Sequence, residues 1–208
     1  MLVFPIELWQ LILDLCPLPT QLALFQVNKF LYQRLQITDF YHINDRLKSK
    51  LSNNILMRYP HVKYLDATKN TKITNEGIMH LKLEVLNAYG NYNITDYGIY
   101  NMKLISLDAS ECFTITDLSI KHLKLHTLIA YNNDMITDEG IKHMMLHNLD
   151  ASGDFSKITD QGIKHMNLSV LNARDNENIT DEGIKHMPLK ALEATDKCKL
   201  MLKKLSGR

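Results

Sequence analysis

The amino-acid sequence predicts an α/β fold in which parallel strands and short helices stack as a solenoid behind a small all-α module. Three observations lead there. A motif recurs at a nearly constant interval from residue 62 to the C-terminus. Within each interval the apolar spacing changes from that of a strand to that of a helix. Residues 1–36 lie outside the recurrence and carry apolar residues at helical spacing, with residues 37–61 joining the two parts.

A fixed period decides an architecture before any single element does. The pattern ITDxGI, or a close variant, begins at Ile73, Ile94, Ile115, Ile136, Ile158 and Ile179, at spacings of 21, 21, 21, 22 and 21 residues. A segment of form LxxLxA precedes each and ends at Ala67, Ala88, Ala109, Ala130, Ala151 and Ala173, with a seventh at Ala194. Residues 62–208 thus divide into seven repeats, the last of which lacks the ITDxGI half. Leu200, Leu202 and Leu205 in that incomplete unit are expected to cover the final core layer, because solenoid ends need capping.

The unit Leu125–Met145 shows the internal logic. Leu128 and Ala130 alternate with exposed positions, as on a strand with one buried face. Thr137 is a good N-cap, Asp138 and Glu139 put negative charge on the first helical turn, and Ile141 and Met144 lie three apart on one helix face. The third residue after each alanine is Asn70, Asn91, Cys112, Asn133, Asp154, Asn176 or Lys197, so a side chain able to bond backbone recurs where the chain leaves the strand. On these residues the chain resembles the leucine-rich repeat family, whose pattern L-x-x-L-x-L-x-x-N/C-x-L is matched with alanine in place of the third leucine. The ITDxGI half is similar to the cysteine-containing subclass found in many F-box proteins. The resemblance runs from residue 62 to roughly residue 200.

Two departures from that family carry expectations of their own. Interior alanine and a short unit leave little volume between strand and helix, which predicts a thin arc with helices of barely two turns. Gly77, Gly98, Gly140, Gly162 and Gly183 fall in the first helical turn, where glycine costs up to ~1 kcal/mol relative to alanine. Close packing of neighbouring helices is the expected compensation, and Ser119, at the remaining position, is also small. Seven strands ~4.8 Å apart would span about 30 Å, enough for a peptide or one face of a small domain.

The N-terminal module reads as helices separated by a break at Pro17 and Pro19. Leu8, Leu11, Ile12 and Leu15 form one apolar stripe, followed by Leu22, Leu24, Phe25 and Val27, then Phe30, Leu31 and Leu35. From the residues alone this is equally a helical cap for the first repeat. The string FPIELWQLILDLCPLPTQLALFQVNKFLYQRL resembles an F-box, the helical module that docks onto the Skp-family adaptor of cullin-RING ubiquitin ligases. Phe4-Pro5 stands where that family has Leu-Pro, and Glu7, Leu8, Ile12, Leu15, Pro17, Leu24, Val27 and Lys29 fall at its matching positions. The resemblance implies an adaptor contact through Phe4, Pro5, Leu8, Ile12, Leu24 and Val27, with Lys29 at the rim and Trp9 as an anchor or as internal packing. In residues 37–61, Leu47, Leu51, Ile55 and Leu56 keep helical spacing and predict a helix that closes the open end of the solenoid.

Composition excludes several other functions. Apolar residues at 45% and charged residues at 23% suit an ordinary folded domain rather than a disordered chain. A net charge of +1 gives no general attraction to nucleic acid or to a membrane surface, and neither is expected as a partner. Cys16, Cys112 and Cys198 are widely spaced with no C-x-x-C, so neither a disulfide framework nor a zinc site is indicated. The apolar N-terminus lacks a basic start and contains Glu7 and Asp14, unlike a secretory leader, and no apolar run reaches spanning length. A Gly-rich phosphate loop, HExxH, GxSxG and a Cys/His signature are all missing, so no enzyme activity and no cofactor are expected. The repeated His80, His122, His143, His165 and His186 read as duplication of one exposed residue, since carboxylates and Cys pairs to complete a metal site are lacking.

Binding is expected on the concave face, on strand positions that alternate with the buried Leu and Ala. One column is Asp66, Asn87, Asp108, Ile129, Asp150, Asn172 and Glu193, and a second begins at Tyr64. Tyr89, Glu111, Tyr131 and Arg174 follow just beyond the strands. Aromatic rings within an acidic column suit a protein ligand with a basic segment. The family resemblance then implies a substrate-recognition subunit of an SCF-type ubiquitin ligase, acting in the cytoplasm or nucleus of a eukaryotic cell, the host cell if the chain is viral or bacterial. The alternative is a repeat module or decoy that binds protein without recruiting a ligase.

Overall fold

The computed structural model describes residues 6–27, 36–195 and 198. Two helices, α1 (Ile6–Asp14) and α2 (Leu18–Val27), lead into one parallel sheet of eight strands taken in sequence order. The strands are β1 (Asp39–Phe40), β2 (Tyr64–Asp66), β3 (Val85–Asn87), β4 (Ser106–Asp108), β5 (Thr127–Ile129), β6 (Asn148–Asp150), β7 (Val170–Ala173) and β8 (Ala191–Ala194). One four-residue helix separates each successive pair from β2 onward: α5 (Asn75–Ile78), α6 (Asp96–Ile99), α7 (Asp117–Ile120), α8 (Asp138–Ile141), α9 (Asp160–Ile163) and α10 (Asp181–Ile184).

The sheet is in register, with Leu65 opposite Leu86, then Leu107, Leu128, Leu149, Leu171 and Leu192. Successive side chains on a strand point to opposite faces. The central leucine therefore turns inward, with the alanine two residues later, and the residues flanking it turn outward. Both isoleucines of each ITDxGI motif are fully buried, and the apolar interior is one continuous cluster along the stack.

Two expectations change. The helices are single turns rather than two. After Ile141 the chain must bury Met144 and Leu146 and re-enter the sheet at Asn148, so the short period leaves no length for a second turn. Residues 37–61 form no single helix. They hold β1 and two one-turn helices, α3 (Asp45–Lys48) and α4 (Asn53–Leu56). β1 pairs with β2, and the buried Ile37, Phe40, Leu51 and Leu56 join the common core. This stretch is a degenerate repeat, and it brings the strands to eight. Leu18 of α2 is buried in the same cluster and Leu22 packs against it, so α2 covers its end. The predicted C-terminal cap residues Leu200, Leu202 and Leu205 lie outside the described residues.

Two polar ladders run beside the core. In the first, the Asn91 amide donates to the Ala67 and Asn70 carbonyls at 3.1 and 2.9 Å, and Asn133 donates to those of Ala109 and Cys112 at 2.9 and 3.0 Å. The Cys112 thiol takes the same place, 3.1 Å from the Asn91 carbonyl. Where the 22-residue unit adds a residue, Asp154 is exposed and Ser156 is buried instead, receiving a hydrogen bond from Asn176 at 3.2 Å. At the far end the Cys198 thiol meets the Ile179 carbonyl at 3.6 Å, while Lys197 lies outside the described residues.

The second ladder joins helix starts. Asp117 accepts from the Thr137 backbone N–H at 2.8 Å and from its hydroxyl at 2.6 Å. Asp96 holds Thr116, Asp138 holds Thr159 and Asp160 holds Thr180 in the same way, while in the first rungs Asn53 and Asn75 accept from the Thr74 and Thr95 N–H and donate their own amide to the hydroxyl. The helix-start aspartates thus stitch each repeat to the next, beyond stabilising their own helix. This ladder also accounts for the glycines: a Cβ on Gly140 would stand 2.2 Å from Oδ1 of Asp117. Ser119 keeps its Cβ because its hydroxyl donates to Asp96 at 2.5 Å.

Candidate functional site

The outward face of the sheet carries the two predicted columns side by side. Aspartate or asparagine at the strand ends turns its Oδ1 back on the chain. Asp66 accepts from the Thr68 N–H, Asn87 from Tyr89, Asp108 from Ser110, Asp150 from Ser152 and Asn172 from Arg174, at 2.9 to 3.1 Å. These side chains close the turn that ends each strand. The residue two after the alanine is left-handed at Lys69, Glu111, Asn132 and Asp175, with φ of 49 to 61°, and at Gly90 and Gly153. One oxygen of each strand-end aspartate is thus committed to its own turn.

The acidic column is also less uniform than its sequence. Asp66 is 7% exposed and ion-paired with Lys48. Burial alone would raise its pKa, but the Lys48 ammonium and the Thr68 hydroxyl and N–H outweigh that and hold it below the ordinary carboxylate range. Glu193 pairs with Arg174 at 3.0 Å. Asp108 has no basic partner in an ion pair among the described residues, and burial, with Asp150 and Asp66 nearby, pushes its pKa up. Asn172 donates to the second carboxylate oxygen of Asp150 at 2.9 Å. The aromatic residues are distributed along the array rather than clustered. Tyr64 is half-buried and directs its hydroxyl at Glu84, 3.4 Å away. Tyr89 is half-buried beneath the Lys69 ammonium, 4.5 Å from its ring centroid. Tyr131 and Arg174 are exposed and Glu111 is half-buried.

Of the adaptor-contact residues, Ile12 is exposed on α1 between exposed Leu11 and Leu15, and Trp9 and Leu24 are half-buried. Leu8 and Val27 belong to α1 and α2, with side chains outside the described residues. Phe4, Pro5 and Lys29 lie outside them altogether. Gln10 bonds the Gln36 backbone through both its amide atoms at 2.9 and 3.0 Å, which ties α1 to the start of the sheet.

Sequence reasoning missed a cleft of about 960 Å³ on the helical side, between the single-turn helices of the first three complete repeats. Its signal was in the sequence. The later repeats place Glu139 and Lys142, or Glu182 and Lys185, as ion pairs on the helix surface, whereas here Tyr97, Tyr100 and Leu118 occupy such positions. The repeated histidines are exposed, with His122 Nε2 3.0 Å from the Tyr100 hydroxyl and His165 Nε2 3.2 Å from the Met144 carbonyl; among the described residues no group of three His, Cys, Asp or Glu side chains is placed to hold a metal ion. Among the same residues no helix is long and apolar enough to cross a membrane. Set against known proteins, the sequence matches no family model and no curated protein.

Proposed function

We propose that this chain is a protein-binding receptor that couples a captured protein to a ubiquitin ligase, as the substrate-recognition subunit of an SCF-type complex. The solenoid contributes a long, chemically varied surface. The N-terminal helices contribute the adaptor contact. Chemistry then belongs to other subunits, and the chain acts by raising the effective concentration of its ligand beside them. The observation that carries the reading is the apolar surface of α1 and of the turn that follows it, where Leu11, Ile12 and Leu15 stay exposed. An exposed apolar patch on a small module signals a partner.

A second reading has its own support. Leu18 and Leu22 of α2 pack on the solenoid core, which is what a cap requires, and a capped solenoid that binds protein without recruiting a ligase would look the same. A pull-down with purified Skp-family adaptor separates the two. The receptor reading expects the full chain to retain adaptor, and the double variant Leu11→Glu, Ile12→Glu to lose it while its circular dichroism is unchanged. Failure of the unaltered chain to bind overturns it in favour of the cap.

A further inference from the structure

The helical-side cleft has three properties that belong together. Its walls are apolar and exposed: Tyr97 is 72% exposed and Leu118 55%, with Met79 and Tyr100 beside them and Met102 half-buried behind. Its rim is basic: Lys82 and Lys103 line it one repeat apart, and Lys124 continues the row on the next. None of the three lysines forms an ion pair among the described residues. Two acids, Glu84 and Asp96, also line the cleft. Glu84 is held by Lys63 at 2.7 Å, and the Asp96 carboxylate by Thr116 and Ser119 at 2.7 and 2.5 Å.

The later repeats supply the contrast. There the equivalent helix positions neutralise themselves through Glu139 with Lys142 and Glu182 with Lys185, and Met145, Asn167 and Pro188 stand where the lysine row would continue. The same fold therefore carries a self-satisfied surface on one half and an apolar cleft with uncompensated positive charge on the other.

We propose that this cleft is a second docking site, for an acidic amphipathic peptide segment of a partner protein. Apolar side chains of the segment would enter between Tyr97 and Leu118, and flanking Asp or Glu would meet the lysine row. Charge complementarity selects this occupant over a basic one, and the apolar walls select a peptide over a nucleic acid, whose binding is dominated by phosphate charge. The site is separate from the outward sheet face and from α1, and it does not depend on ligase recruitment.

The test is selection of short peptides from a random library against the purified full chain, followed by fluorescence anisotropy on synthetic versions. The expected peptides place Asp or Glu around Leu, Phe, Tyr or Trp. Their binding should weaken by about tenfold or more in Tyr97→Glu, as for a central apolar contact, and in Lys82→Glu with Lys103→Glu, and stay unchanged in Lys185→Ala, beside the last helix. A charge-reversed peptide should regain binding to the double lysine variant, which a merely misfolded protein could not support. The proposal is overturned if the selected peptides are basic or neutral, or if their binding ignores Tyr97→Glu. It also fails if single-stranded DNA competes better than any peptide, or if the chain sediments as a dimer that Tyr97→Glu disperses, since the occupant is then a second copy.

Discussion

Gly140→Ala puts the interpretation of the helix-start ladder at risk, because two physical effects predict opposite signs. In a helix, alanine is favoured over glycine by ~1 kcal/mol, so a helix considered alone should gain stability. The structure places the new Cβ 2.2 Å from Oδ1 and 3.1 Å from Cγ of Asp117. The carboxylate must move, and it holds the Thr137 N–H at 2.8 Å and the Thr137 hydroxyl at 2.6 Å. Hydrogen bonds to a charged group contribute ~1.5–3 kcal/mol each. The two partners are half-buried, so water recovers part of that loss, and the balance is a destabilisation of roughly 2–3 kcal/mol once the helix gain is subtracted. Urea denaturation followed by far-UV circular dichroism measures it. The decisive comparison is the same substitution in an Asp117→Ala background, where the carboxylate is gone and, of the three atoms nearest the new Cβ, the Cα of residue 117 is left, at 3.3 Å. There Gly140→Ala should be neutral or stabilising by up to ~1 kcal/mol, giving a coupling between the two sites of about 2–4 kcal/mol. A stabilising Gly140→Ala in the unaltered chain, or a cost that persists without the carboxylate, would show that the glycines answer to something other than this ladder.

Two further outcomes follow from the titrating groups. Asp108 has a raised pKa because burial and its acidic neighbours disfavour its charge, so the folded state holds its proton more tightly than the unfolded state, and stability falls as pH rises from the ordinary value of 3.8 through the folded value. Asp108→Asn keeps the acceptor for Ser110, as Asn87 does for Tyr89. It should raise the melting temperature at neutral pH with a gain that vanishes in acid, and a loss of stability at neutral pH would contradict the burial argument. The thiols give the second outcome: burial pushes the Cys112 pKa up, and burial with Asp181 and Asp160 pushes that of Cys198 up to about 11. Iodoacetamide on the native protein should modify Cys16, which is half-buried, and spare both ladder cysteines until denaturant is added; native-state labelling of Cys112 would mean that its rung opens.

The repeat architecture was legible because a solenoid maps sequence distance onto space. Each buried residue stacks on its counterpart one period away, so Leu65, Leu86 and Leu107 announce their contact by their spacing alone. The degenerate first repeat escaped because Ile37, Phe40, Leu51 and Leu56 fill the same core slots with helix Asp45–Lys48 inserted between strand and helix. A shifted spacing resembles a helix more than a repeat. The acidic column was visible as a column but not as chemistry: that Asp66 is neutralised depends on Lys48, which reaches it from outside the regular repeats. Ser156 replacing Asp154 has the same origin, since one added residue rotates the turn and only packing decides which side chain goes inward.

By itself the sequence determined a parallel α/β solenoid, the leucine, isoleucine and alanine positions that form its interior, and the helix starts at ITDxGI. Those features are local or strictly periodic, and propensity with hydrophobic spacing specifies them without knowledge of the third dimension. The tertiary structure decided which charges are spent within the fold and which remain for a partner. Whether a carboxylate or lysine is available depends on neighbours supplied by other repeats, on burial, and on the direction in which a strand-end side chain folds back. Met79, Tyr97 and Leu118 become a cleft only when three repeats stand side by side.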